Sequence, residues 1–247
     1  MGVIVALGFL TALPVRSRGV EPSDLGRSTA WFPLVGLMLG VTLAGLDAAL
    51  RLVWPSAVAS AVTLVVLIAL TGGLHLDGLM DSCDGLFGRS DPSRRMDIMR
   101  DSRVGSFGVL GAISTLLLKY AALAALADPW RLVALALAPT LGRWAMTLAI
   151  WGFPYARPEG LGRAFKETMS WRSALVASLI AATVAVGLLR LNGVGLLVVA
   201  GAATWLVAKF VCTRVPGLTG DIYGAVNEVV EVVCLLSVLT IAEWSHA

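Results

Sequence analysis

Residues 173–211 read SALVASLIAATVAVGLLRLNGVGLLVVAGAATWLVAKFV. Only Arg190 and Lys209 carry charge in this stretch. The two apolar runs within it, Ser173–Leu189 and Val194–Val211, approach the ~20 residues with which an α-helix crosses a bilayer. Five more segments have the same character: Trp31–Leu50, Ser56–Gly72, Val104–Ala127, Leu132–Gly152 and Ala225–Trp244. The opening run, Val3–Leu13, is too short to span and is expected as an interfacial or re-entrant helix. The fold class is therefore all-α, a polytopic integral membrane helical bundle of about seven transmembrane helices plus that short N-terminal helix.

Composition supports this. The chain has 247 residues, 57% of them hydrophobic and 14% charged, with a mean hydropathy of +0.84. A soluble domain carries about a quarter charged residues, and one soluble core would not hide this much apolar surface. Low-complexity tracts and repeats are missing, so residues 1–247 are expected to form one catalytic domain. Cys83, Cys212 and Cys234 are dispersed, which excludes a disulfide framework and a zinc site. The N-terminus has no basic residues ahead of its apolar run, so no cleaved signal peptide is expected.

The basic residues give an orientation. Arg16, Arg18, Arg27, Arg89, Arg94, Arg95, Arg100, Arg103, Arg157, Arg163, Lys166, Arg172, Lys209 and Arg214 fall in one set of connections. The other set holds only Arg51, Arg131 and Arg190, while Lys119 and Arg143 lie within spans. Basic loops stay in the cytoplasm. The long polar connections, and any chemistry in them, are thus expected on the cytoplasmic face, with the N-terminus inside.

Residues 72–108, GGLHLDGLMDSCDGLFGRSDPSRRMDIMRDSRVGSFG, hold the densest acidic cluster. Asp77, Asp81 and Asp84 are spaced to share one helix face. Like charges so placed repel, and a hard divalent cation would compensate. Carboxylates suit Mg²⁺, which keeps waters and takes phosphate oxygens as further ligands. Gly78 and Gly85 would let a bulky ligand approach. Asp91-Pro92 reads as a helix start. Beyond it, Asp101 is a fourth metal ligand candidate, and Arg100 and Arg103 are candidates for phosphate oxygens. His75 is a candidate general base or phosphate donor.

Further polar marks extend the candidate site. Arg143 sits in an apolar span and needs a partner, either a carboxylate or a substrate phosphate. Arg157 and Lys166 lie in FPYARPEGLGRAFKE, read as a glycine- and proline-punctuated loop. Asp221, Asn227 and Glu228, with Glu231, open the last span and could support the metal or bind hydroxyls or amides of a ligand.

HLDGLMDSCDG, IMRDSRVGSFG and LTGDIYGAVNE, in that order, resemble the cobalamin synthase family, the adenosylcobinamide-GDP ribazoletransferases. FLTALPV, WFPLVG and GRWAM…FPYARPEGLG resemble it too, so the likeness covers nearly the whole chain. It implies transfer of adenosylcobinamide phosphate from adenosylcobinamide-GDP to alpha-ribazole or its 5′-phosphate, giving adenosylcobalamin or its 5′-phosphate and GMP. It implies Mg²⁺ dependence and an inner-membrane location. On this chain, Asp77, Asp81, Asp84 and Asp101 would hold the metal and the arginines the guanosine phosphates. His75 or an aspartate would assist attack by the ribazole 5′-oxygen. Expected partners are these small molecules and membrane lipid, with no nucleic acid; a homo-oligomer is open. A CDP-alcohol phosphotransferase is the nearest alternative, but its DGxxAR pattern is absent. An ion-coupled transporter using Asp221, Glu228 and Glu231 would need inverted repeats and broken midplane helices, which the sequence does not show.

Overall fold

The structure, a computed structural model, describes residues 1–15, 19–88 and 91–245. Arg16, Arg18 and Arg89 of the charge pattern lie outside the described residues. The helices are α1 (Gly2–Leu10), α2 (Pro22–Ser28), α3 (Phe32–Leu50), α4 (Ser56–Thr71), α5 (Leu74–Phe87), α6 (Pro92–Ile98), α7 (Ser106–Ala125), α8 (Trp130–Gly152), α9 (Leu161–Thr168), α10 (Trp171–Leu189), α11 (Leu191–Cys212) and α12 (Gly220–Trp244). A 3₁₀ turn, Thr29–Trp31, joins α2 to α3. The one β-type pairing among the described residues is a bridge between Tyr155 and Leu218.

Among the described residues, six helices are long and apolar enough to cross a membrane: α3 with its lead-in, α7, α8, α10, α11 and α12. The expected span Ser56–Gly72 differs. Its helix, α4, has 16 residues and rises about 24 Å, short of a ~30 Å hydrocarbon core. It reaches seven spans only as part of a pair with α5, bent by 90°. The bend needs Gly72 and Gly73, whose φ angles of 61° and 73° are left-handed and strained for other residues.

α8 is the hub, buried from Ala134 through Thr147. α3 packs antiparallel against it through glycines. A Cβ on Gly36 would lie 2.3 Å from the Pro139 carbonyl oxygen, and one on Gly40 2.5 Å from that of Leu135. Without a hydrophobic drive between helices in lipid, such small-residue contacts are what brings backbones together. α7, α10 and α11 instead turn Leu110, Leu117, Leu179, Val198 and Leu206 outward. A continuous apolar exterior of this kind suits lipid rather than water.

The two ends of the bundle differ. At one, adjacent helices are joined by tight turns, at Arg51–Pro55, Leu126–Pro129 and Arg190. Here Arg131 clamps Asp47 by two hydrogen bonds, from Nε (2.8 Å) and Nη2 (2.5 Å), and both side chains are fully buried. The other end carries α1, α2, α5, α6 and α9. α1 was expected at this end and is found packed on α2 and α3, with Val5, Ala6 and Leu10 buried.

The segment read as a loop, residues 153–172, contains a helix. Its non-helical part ends at Gly160, where φ is 112°. From Leu161 the chain is helical, with Gly162 and Phe165 buried on one side. α12 also begins a turn before the apolar run, because the Thr219 hydroxyl accepts from the Ile222 N–H at 3.4 Å and caps it.

Candidate functional site

α5 starts at the Gly73 break, is not one of the six helices that would span alone, and lies against α12 and α7. Its buried face is His75, Gly78, Leu79, Ser82, Cys83 and Leu86. Asp77 is exposed, and Asp81 and Asp84 are half-buried. The two glycines do something other than admit a ligand. A Cβ on Gly78 would lie 2.7 Å from the Asp221 carbonyl oxygen, and one on Gly85 2.5 Å from the Met99 side chain. Gly78 thus lets the first turn of α12 approach, and Gly85 seats the end of α6.

That approach brings Asp221 to the cluster. Burial, then the carboxylates of Asp77 and Asp221, push the Asp81 carboxyl up to about 6. Arg157 partly offsets this, and its Nη2 donates to Asp221 at 2.5 Å. Asp84 faces another way. Its oxygens accept from the backbone N–H groups of Gly105 and Gly108, both at 2.8 Å. It therefore caps α7 and meets the positive end of that helix. Gly105 and Gly108 leave room for it, since a Cβ at either would lie 2.4 Å from its oxygens.

Asp101 is engaged by a neighbour of its own. It follows α6, whose start at Asp91 is as the sequence indicates, with the carboxylate accepting from the Arg94 N–H at 2.9 Å. Asp101 pairs with Arg103 at 2.6 Å. Hydrogen bonds from the Arg103 side chain and backbone hold its carboxyl at about 2. Arg100 is exposed. Among the described residues, no three His, Cys, Asp or Glu side chains converge closely enough to hold a metal ion alone. The crowding at Asp77, Asp81 and Asp221 fits a cation shared with a phosphate-bearing ligand. Mg²⁺ is commonly held this way, by one or two carboxylates plus substrate oxygens.

The remaining candidates divide. Lys166 donates to the carbonyls of Ile150 (2.9 Å) and Trp151 (2.8 Å), closing the C-terminal end of α8. Arg143, Asn227 and Glu228 form an internal network. Arg143 pairs with Glu231. Lys119 reaches Glu228 at 2.7 Å and also pairs with Glu231. Asn227 donates to Glu231 at 3.0 Å and to Glu228 at 3.2 Å. Arg143 Nη2 also lies 3.3 Å from His75 Nδ1. Arginine can only donate, so Nδ1 accepts and the imidazole proton sits on Nε2. In this arrangement His75 is a donor, the second of its two expected roles.

A cavity of about 240 Å³ opens between α1, α5, the C-terminal end of α8, the 153–162 connection and the start of α12. Asp77, Arg157 and Asp221 line it, with Tyr155 and Tyr223, which sequence reasoning did not single out. The partners Lys119 and Glu231 were visible as lone charges in apolar spans, but nothing in the sequence pairs them.

The comparisons with known proteins agree with this architecture. The model of the cobalamin-5-phosphate synthase family matches residues 2–239. An adenosylcobinamide-GDP ribazoletransferase of Desulforamulus reducens is 42% identical, covering 92% of this chain and 91% of that protein. One from Geotalea daltonii is 40% identical over 96% of both chains, and one from Pseudomonas savastanoi pv. phaseolicola is 39% identical over 94% of this chain and 96% of that one. No solved structure matches. With a helical membrane bundle, a carboxylate-rimmed cavity at one end and a family match running nearly end to end, the chain belongs to the cobalamin-5-phosphate synthase family.

Proposed function

We propose that this protein joins the nucleotide loop in cobalamin biosynthesis, transferring adenosylcobinamide phosphate from adenosylcobinamide-GDP to alpha-ribazole or its 5′-phosphate, with release of GMP. The observation that carries the chemistry is the crowding of Asp81 by Asp77 and Asp221, the latter two lining the cavity. The family supplies the substrates.

Asp77 and Asp81, with Asp221 beside them, would hold Mg²⁺. When bound, the ion would polarise the phosphoryl oxygens and neutralise the leaving GMP. The protein's own task is positioning and charge placement, which dominate phosphoryl transfer. Arg157, tied to Asp221, faces the phosphates from the α12 side, and exposed Arg100 is free to meet the guanosine end. Asp81 takes the proton of the attacking hydroxyl, since His75 already carries one on Nε2. Stoichiometry corrects the attacking atom. When the acceptor bears a 5′-phosphate, the product keeps it, so the common nucleophile is a ring hydroxyl of the ribose and not the 5′-oxygen. Asp84 serves by fixing α5 to α7, and Asp101 by ordering the turn before α7. The basic end of the bundle is assigned to the cytoplasm, in the inner membrane.

Asp81→Asn should abolish Mg²⁺-dependent GMP release while the protein still folds and inserts. The assay is GMP release from adenosylcobinamide-GDP by purified membranes, with Mg²⁺ or with EDTA. Near-normal release by the variant would sink the carboxylate assignment, and equal release in EDTA would sink the metal.

A further inference from the structure

Three of the residues lining the cavity each have a buried side-chain atom without a hydrogen-bond partner in the protein: His75 Nε2, Arg157 Nε and Tyr223 Oη. His75 is 2% exposed and Tyr223 3%. Buried polar groups are almost always satisfied, so three orphans on one cavity point to a ligand that meets them. Two of them have fixed chemistry. His75 presents an N–H, because Arg143 occupies its other nitrogen. Tyr223 presents a hydroxyl, its ring stacked at 6.2 Å on that of Tyr155.

The walls narrow the class of ligand. Asp77, Glu159 and Asp221 line the cavity against the single guanidinium of Arg157, which is already paired with Asp221. Carboxylates of this kind accept from the hydroxyls of a polar ligand. Phe9, Met146, Ile150 and Phe165 give an apolar end, with the two phenylalanine rings 4.7 Å apart. At about 240 Å³ the space lies below the ~300–1,000 Å³ of drug-sized sites. It suits one nucleoside and excludes a corrinoid.

We propose that this cavity seats the base and ribose of the acceptor of the transfer, a heteroaromatic riboside, and that His75 Nε2–H donates to the unsubstituted ring nitrogen of its base. The inference rests on the transfer reading above. The base packs against Phe9 and Phe165. The ribose extends past Tyr223 towards Asp77 and Asp221, where its attacking hydroxyl meets the carboxylates. The cobinamide phosphate and its guanosine stay outside, on the exposed side of α5.

The test uses the full-length enzyme in lipid vesicles and two acceptors: alpha-ribazole and the riboside in which the free ring nitrogen is replaced by CH. The wild-type KM should be about tenfold higher for the CH analogue, the ratio expected for one lost buried hydrogen bond. In His75→Leu that discrimination should vanish, with KM for adenosylcobinamide-GDP changed less than about twofold. Tyr223→Phe, which removes one oxygen, should raise the acceptor KM about tenfold with the same selectivity. If His75→Leu fails to fold, the wild-type ratio and Tyr223→Phe decide. Equal wild-type KM values for the two ribosides, or effects falling on adenosylcobinamide-GDP, would overturn the inference while leaving the transfer intact. No transfer to either riboside would instead overturn the transfer reading.

Discussion

Asp81 and Asp84 stand three residues apart on one helix, yet their surroundings divide their roles. Asp84 has its two oxygens committed to the Gly105 and Gly108 amides. Asp81 has no such amides and is crowded by Asp77 and Asp221. Replacing Asp84 with alanine removes a cap and leaves α7 amides unpaired. Asp84→Ala should therefore cost about 1–2 kcal/mol of stability, read as a lowered Tm in detergent, with Asp84→Asn milder because it keeps one acceptor oxygen. Asp81→Asn should leave Tm nearly unchanged or raise it, since it relieves carboxylate repulsion, while turnover is lost. A pair of variants with these effects reversed would exchange the two roles. The sequence placed both residues on one face but did not distinguish them, because the Gly105 and Gly108 amides are some twenty residues away along the chain.

At the scale of elements, the site depends on how α5 is delivered. Gly72 and Gly73 turn the chain by 90° at the end of α4, so α5 runs across the end of the bundle instead of continuing through it. Gly73→Ala forces a side chain into a left-handed conformation and should cost about 1–2 kcal/mol, detected by thermal unfolding. Gly78→Ala should act differently. Its Cβ would meet backbone, 2.7 Å from the Asp221 carbonyl oxygen, so α12 must move away from α5. Activity should fall more than stability, since Asp221 and Arg157 leave the cluster together. Activity comparable to that of Gly73→Ala at equal Tm loss would mean that the α5–α12 contact does not set the site. The glycines were legible as glycines, but the ligand space first inferred beside Gly78 is occupied by a neighbouring helix.

Across the whole molecule, charge is balanced where lipid and packing forbid water. Lys119 and Arg143 face Glu228 and Glu231 in the bundle interior. Breaking such a set is costly because a lone charge stays buried. Lys119→Met should lower stability by about 3–5 kcal/mol or prevent accumulation in membranes. Adding Glu228→Gln should recover part of the loss, and no recovery would show that the charges are not coupled. The contrast between the two ends gives a further expectation. Single cysteines at Val53 and Arg100, in a chain with Cys212 replaced by serine, should react with an impermeant maleimide from opposite sides of the membrane. Labelling of both from one side would refute the seven-span arrangement, in which the bent α4–α5 pair counts as one.

The helical membrane class, six of the seven spans and the place of the acidic cluster were determined by the sequence alone. Hydropathy and residue spacing are local, and a bilayer turns a run of apolar residues into a helix whatever its neighbours are. The asymmetry of basic residues is a sum over connections and survives errors of a few residues at any boundary. Tertiary structure decided the division of labour. Which carboxylate caps a helix and which stays free, whether Arg143 meets a ligand or Glu231, and which nitrogen of His75 holds the proton all depend on atoms distant in the chain. Arg143 and Glu231 are 88 residues apart, and Lys119 and Glu231 are 112. Packing sets such pairings through close helix crossings, and those crossings turn on single glycines whose partners only the folded chain reveals.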